Sequence, residues 1–134
     1  MALRLKILIV EDSPVVTHLI VATIRRIWGT QADIYLAFNG EEGLQKALTH
    51  QPELIITDME MPKMHGAEMA RRLRQEPAGR NFTIMGMSGS DLGDAKILDN
   101  LAIFDAFMIK PFGRIELTNK LLILFPNIKS LQQV

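Results

Sequence analysis

Short apolar runs alternate along this chain with stretches whose apolar residues recur every three or four positions, a pattern that predicts strands and helices in strict succession. Leu5-Lys6-Ile7-Leu8-Ile9-Val10 reads as a buried strand that stops at Glu11-Asp12. Ser13 then serves as N-cap and Pro14 as first helical residue of a helix whose inward stripe is Val16, Leu19, Ile20, Thr23, Ile24 and Ile27. Arg25 and Arg26 face water and Gly29 ends the helix. Ile34-Tyr35-Leu36-Ala37 is a second, shorter strand, and Asn39-Gly40 turns into a helix with Leu44, Ala47 and Leu48 on its apolar side. Leu54, Ile55 and Ile56 form a third strand, covered on both faces, which delivers Asp58 to its end; Met61-Pro62 bars continuation. From about Gly66 a helix carries Met69, Ala70 and Leu73 inward and Arg71, Arg72 and Arg74 outward until Pro77. Phe82-Thr83-Ile84-Met85-Gly86-Met87 is a fourth strand ending at Ser88, after which Asp91 caps a fourth helix carrying Leu92, Ala95, Ile97, Leu98 and Leu101. Ala106-Phe107-Met108-Ile109 is a fifth strand ending at Lys110-Pro111, and a last helix holds Leu117, Leu121, Leu124 and Phe125 before Pro126.

Five strand-then-helix repeats call for an α/β fold, a parallel sheet with helices on both faces and right-handed crossovers. The 134 residues fit one domain, placed at residues 1–126 with 127–134 as a short tail. Fifteen basic against fifteen acidic residues give zero net charge, so no field draws the chain as a whole to nucleic acid or to a membrane surface. The absence of cysteine excludes disulfides, thiolate catalysis and Cys-based zinc sites. No apolar run approaches the ~20 residues of a bilayer span, and the expectation is a soluble, cytoplasmic protein.

A lone Asp at a strand end most often caps the following turn. Here four of the five strands end in polar groups, Glu11-Asp12, Asp58, Ser88 and Lys110, and in a parallel sheet those ends open on one edge, where ligands of such folds bind. Three carboxylates gathered within several Å repel by roughly 4 kcal/mol per close pair at an effective dielectric near 20. Lys110 offers one positive charge against them; a divalent cation completes the neutralisation. Oxygen-only ligands favour Mg²⁺ and equip the site for phosphoryl transfer, in which the protein positions groups and stabilises charge.

In these residues the chain resembles the receiver domain of two-component response regulators, of the chemotaxis-regulator type, over nearly its whole length. The resemblance rests on Glu11-Asp12, the segment Asp58-Met59-Glu60-Met61-Pro62-Lys63-Met64-His65-Gly66, Ser88 and Lys110-Pro111-Phe112, with Asn39-Gly40 similar to the turn before the second helix. It implies a flavodoxin-like (βα)5 fold with strand order 2-1-3-4-5. Asp58 would attack a phosphohistidine of a sensor histidine kinase or phosphotransfer protein and become an aspartyl phosphate. Glu11, Asp12 and Asp58, with the backbone carbonyl of Glu60, would hold Mg²⁺. Ser88 and Lys110 would contact the phosphoryl oxygens, and Ser88 would move toward them while Phe107, in the place of the switch aromatic, changes rotamer. Glu60 and Ser90 would tune the lifetime of the phosphate. The face of the fourth helix, fifth strand and last helix would signal to a downstream target or to an output domain outside this chain. Such a protein catalyses only its own phosphorylation and dephosphorylation and is no turnover enzyme.

Departures from the family pattern matter too. His65 stands where Asp is usual and reads as a solvated loop residue; Gly89 replaces an Ala; Ile103-Phe104 replaces Gly-Ala and reads as local core before partner surface; Phe107 lacks the hydroxyl of the usual Tyr. The methionines read as core filler, with Met59 and Met61 beside the site able to suit a changing surface. Gly86-Met87-Ser88-Gly89-Ser90 nearly spells a hydrolase nucleophile elbow, but no His follows it. Asp58-x-Glu60 lacks the second Asp and first-strand position of dehalogenase-type phosphatases, and Val10-Glu11-Asp12-Ser13-Pro14 lacks the glycines of a dinucleotide turn. The remaining alternative is a receiver-like interaction module that is never phosphorylated. The chain carries no output domain, which makes it either a stand-alone regulator or a piece of a longer one.

Overall fold

The β-branched and leucine-rich runs pair into one parallel sheet with strands in the order β2-β1-β3-β4-β5. The computed structural model describes residues 4–61, 63–89 and 102–127. Within them the elements are β1 (Leu5–Val10), α1 (Pro14–Trp28), β2 (Ala32–Ala37), α2 (Gly40–His50), β3 (Leu54–Asp58), α3 (Gly66–Gln75), β4 (Thr83–Ser88), β5 (Ala106–Ile109) and α4 (Arg114–Leu124). The expected helix around Asp91 to Leu101, Pro62, Ser90 and residues 128–134 lie outside the described residues. Strand order, parallel pairing and helices on both faces match the expected fold class.

Alternation along each strand divides the core in two. Leu5, Ile7, Ile9, Leu54, Ile56, Met85, Met87 and Met108 face α1 and α4, against Ile20, Ile24, Ile27, Trp28, Leu117 and Leu121. Leu8, Val10, Ile55 and Ile84 face α2 and α3, against Ala47, Met69, Ala70 and Leu73. Helix starts follow the local chemistry: Ser13 Oγ accepts the Val16 N–H at 3.4 Å, and Asn39 Oδ1 accepts the Glu42 N–H at 2.9 Å. Gly29 takes φ 56° at the end of α1, a conformation that costs a side-chain-bearing residue. The single tryptophan, Trp28, is fully buried at that end and meets Phe125 edge to face at 6.2 Å.

Three expectations are corrected. Strand two is longer than residues 34–37, because Ala32 pairs with Leu5 and the Arg4–Asp33 ion pair and the Arg25 bond to the Ala32 carbonyl hold its start. Ala47 is buried and Leu44 packs on the core as expected, but Leu48 is 36% exposed; Gly40 and Gly43 complete the inner face of α2, since the helix approaches Val10, Met64 and Met69 too closely for a side chain at either glycine. Arg71 and Arg72 are exposed, but Arg74 is half-buried. Its guanidinium donates to the carbonyls of Gly79 (2.9 Å), Phe82 (2.6 Å) and Ile103 (2.9 and 3.1 Å) and to Asp105 Oδ2 at 2.9 Å. Arg74 therefore ties the end of α3 to the segments that lead into β4 and into β5. Arg74→Ala is expected to lower stability by about 2 kcal/mol and to speed amide exchange at Ile84 and Asp105, measured by urea denaturation and hydrogen exchange.

Candidate acidic site at the strand ends

The carboxyl edge of the sheet collects what the sequence placed at strand ends. Glu11 follows β1, and its N–H bonds the Ala37 carbonyl at 3.0 Å, which keeps the residue in line with the sheet. Its side chain is 1% exposed: Oε2 accepts the Ser13 N–H at 3.0 Å and Oε1 accepts Lys110 Nζ at 2.7 Å. Asp12, one residue on, is exposed. Asp58 is the last residue of β3 and buried; Oδ1 accepts the Glu60 N–H at 3.1 Å and Oδ2 lies 3.2 Å from Lys110 Nζ. Two backbone bonds pin the loop behind it, Met59 N–H to the Met87 carbonyl (2.8 Å) and Gly66 N–H to the Met59 carbonyl (3.3 Å). Any side chain at Gly66 would overlap the Asp58 carbonyl, so glycine there lets α3 start directly against the strand end. The Lys110 N–H bonds the Ser88 carbonyl at 2.7 Å, fixing the lysine one residue beyond β5.

Carboxylate oxygens of Glu11, Asp12 and Asp58 come within 4.8 Å of one another. Lys110, its side chain 23% exposed, reaches two of the three. Burial pushes the Glu11 carboxyl above its ordinary range, against the Lys110 and Ser13 hydrogen bonds that favour its charged form; the Asp58 charge adds to the rise. For Lys110 burial works downward, but the Glu11 hydrogen bond and the charges of Asp58 and Glu11 outweigh it and hold the ammonium above the usual lysine value. Among the described residues the edge is thus acidic beyond what Lys110 neutralises, and its donors are carboxylate oxygens, the chemistry of a hard divalent cation site.

Glu11, Asp12, Asp58 and Lys110 therefore converge as expected. Ser88, buried at the end of β4, donates from Oγ to Glu60 Oε1 at 3.4 Å. Phe107 lies on the α2–α3 face of the sheet, half-buried beside Phe104 and over Gly86. His65 is exposed in the loop before α3, as read from the sequence, while Met59, Met61 and Met64 of the same loop are buried. The side chain of Glu60 was given no structural contact by the sequence; its bond to Ser88 depends on how the β3–α3 loop folds back, for which no local pattern exists.

Residues 7–122 match the response regulator receiver domain family. The chain is 34% identical over 108 residues to the alkaline phosphatase synthesis transcriptional regulatory protein PhoP of Bacillus subtilis, covering 81% of this chain and 43% of PhoP. It is 31% identical over 109 residues to a gliding motility regulatory protein of Myxococcus xanthus, covering 81% of this chain and 14% of that protein. The chain thus spans less than half the length of these curated relatives. The chemotaxis response regulator CheY4 of Vibrio cholerae has the same fold, with a TM-score of 0.80 at 24% identity over 90% of this chain and 98% of that one. The receiver domain of a sensor histidine kinase from Pseudomonas aeruginosa, solved with a magnesium ion coordinated in its active site cleft, superposes with a TM-score of 0.79 at 25% identity, over 92% and 99% of the two chains. Sequence, fold and the acidic strand-end pocket agree, and the chain belongs to the response regulator receiver domains of two-component signalling.

Proposed function

We propose that Asp58 is the phosphoacceptor of this receiver, working with Ser88 and Lys110 and with Mg²⁺ held by Glu11, Asp12, Asp58 and the Glu60 carbonyl. The observation that carries the reading is the Lys110 ammonium bridging Glu11 and Asp58 inside a cluster of three carboxylates. Each Asp58 oxygen already accepts one hydrogen bond or ion-pair contact, and each keeps a lone pair for another partner. In transfer, an Asp58 oxygen forms the new bond to phosphorus as the bond from phosphorus to the donor imidazole nitrogen breaks, and the imidazole leaves with its electron pair. Lys110 stays within reach of the oxygens that gain charge, and Ser88 supplies a hydroxyl donor from the next strand end. When bound, the cation supplies charge neutralisation for the approach of one anion to another.

The phosphoryl source would be a sensor histidine kinase or a phosphotransfer protein, and the receiver of the signal a target protein or a linked output domain, contacted through the face that includes β5 and α4. A phosphoryl group brings about −1.5 to −2 charge to the strand ends, enough to reorder the residues around it. Incubating the protein with a small phosphodonor such as acetyl phosphate, with Mg²⁺ or with chelator, and reading intact mass tests the proposal. One added phosphoryl group with Mg²⁺ and none with chelator is expected. No gain with Mg²⁺ would make the chain an interaction module.

A further inference from the structure

Phe107 stands opposite Gly86 in the β4–β5 register, so its ring lies on the same face of the sheet as position 86 and as Ser88, two residues further along β4. A Cβ at position 86 would meet Phe107 Cε1 at 2.9 Å, Phe107 Cδ1 at 3.1 Å and Phe104 Cδ1 at 3.2 Å. The two rings pack on each other with centroids 4.9 Å apart at 49°. Both thus occupy space that any other residue at position 86 would fill. Phe104 itself is buried and held from both sides. The Ile103 carbonyl accepts from Arg74; Asp105 Oδ2 accepts from Arg74 and from the Ile84 N–H at 2.8 Å; and the Asp105 N–H bonds the Ile84 carbonyl at 2.8 Å.

We propose that Gly86 and Phe104 form a socket that seats the Phe107 ring against the sheet whether or not Asp58 carries a phosphoryl group. The inference rests on the receiver reading, and deepens it: the room for the ring comes from a side chain that β4 lacks, with no movement of Ser88 required. Phe104, anchored through Arg74, is the positioning residue that closes the socket. A residue without a side chain in β4 and a large one before β5, at separate places in the sequence, therefore act as one compensating pair.

The test is proton NMR on the full chain with labelled phenylalanine, reading contacts between the Phe107 ring and the Hα protons at position 86, without ligand and with Mg²⁺ and beryllofluoride as phosphoryl mimic. The contacts are expected in both states. Gly86→Ala should displace the ring and abolish its contact to that backbone, and Phe104→Ala placed in the Gly86→Ala background should bring the contact back, an exchange that a merely destabilised strand would not show. Contacts that appear only on loading would overturn the proposal, as would a ring unmoved by Gly86→Ala or a double variant without recovery. If Gly86→Ala does not fold, the comparison of the two wild-type states still decides. Mass spectrometry on the same preparation separates the two claims: failure of Asp58 to take up a phosphoryl group sinks the receiver chemistry, while the unliganded contacts and their response to Gly86→Ala judge the socket.

Discussion

Asp58→Asn is expected to abolish phosphoryl uptake while leaving the fold as stable as before. The amide offers no anionic oxygen for attack on phosphorus, so the mass gain from a small phosphodonor should vanish. Stability is a separate matter. At an effective dielectric near 20, the Lys110 contact at 3.2 Å attracts Asp58 by about 5 kcal/mol, whereas Glu11, within 4.8 Å, repels it by at least about 3.5 kcal/mol, and exposed Asp12 adds a smaller, solvent-screened repulsion. Removing the charge cancels both. The asparagine oxygen can still accept the Glu60 N–H, and Lys110 keeps its shorter contact to Glu11. Denaturation midpoints without divalent cation should therefore lie within about 1 kcal/mol of the parent, or above it. Loss of uptake together with loss of fold would mean that Asp58 is a structural residue.

Lys110→Met should do the opposite, costing stability as well as chemistry. Glu11 is almost wholly enclosed and Asp58 nearly so, and the ammonium is the cation that both touch. Removing one partner of a buried pair leaves an uncompensated charge, worth about 3–5 kcal/mol in chelator. The pH dependence has a definite sign. A carboxyl whose folded value is raised binds its proton in the folded chain where the unfolded chain has already lost it. Its contribution to stability therefore falls as pH rises through the folded value and recovers as pH is lowered toward the ordinary carboxylate range. Without the Lys110 hydrogen bond the Glu11 rise grows, so the deficit of Lys110→Met should narrow from about pH 8 to about pH 5. Added Mg²⁺ at neutral pH should stabilise the variant more than the parent. Urea denaturation across those conditions checks both; a deficit independent of pH and of Mg²⁺ would contradict the charge argument.

The strand-end acids and the lysine could be read from the sequence because each lies where a continuous apolar run stops, a signal carried by neighbours in the chain. Asp58 after Leu54-Ile55-Ile56-Thr57 and Lys110 after Ala106-Phe107-Met108-Ile109 need only that rule. Arg74 could not be read this way: it shares helical spacing with Arg71, and only the approach of residues 79–82 and 103–105 turns it from a solvated charge into a brace. Leu48 misled for a related reason. Hydrophobicity marks residues that can be buried, but how near α2 comes to β1 is set by Gly43, whose signal is the lack of a side chain. The pairing of Gly86 with Phe104 is invisible in either residue alone, since it is a statement about volume shared between β4 and the segment that leads into β5. What the chain order states locally was legible; what depends on the distance between elements was not.

Trp28 offers a practical return. Helix α1 leaves the acidic edge at Ser13 and ends 15 residues later, so the indole sits roughly 20 Å from Asp58, at the opposite rim of the sheet. As the sole tryptophan, enclosed in the native protein and wetted on unfolding, it is an optical probe of the global transition alone. Emission curves recorded with and without divalent cation can thus be compared directly, undisturbed by quenching at the acid cluster. A change in native emission on loading would mean that the event at one rim had been felt across the whole sheet.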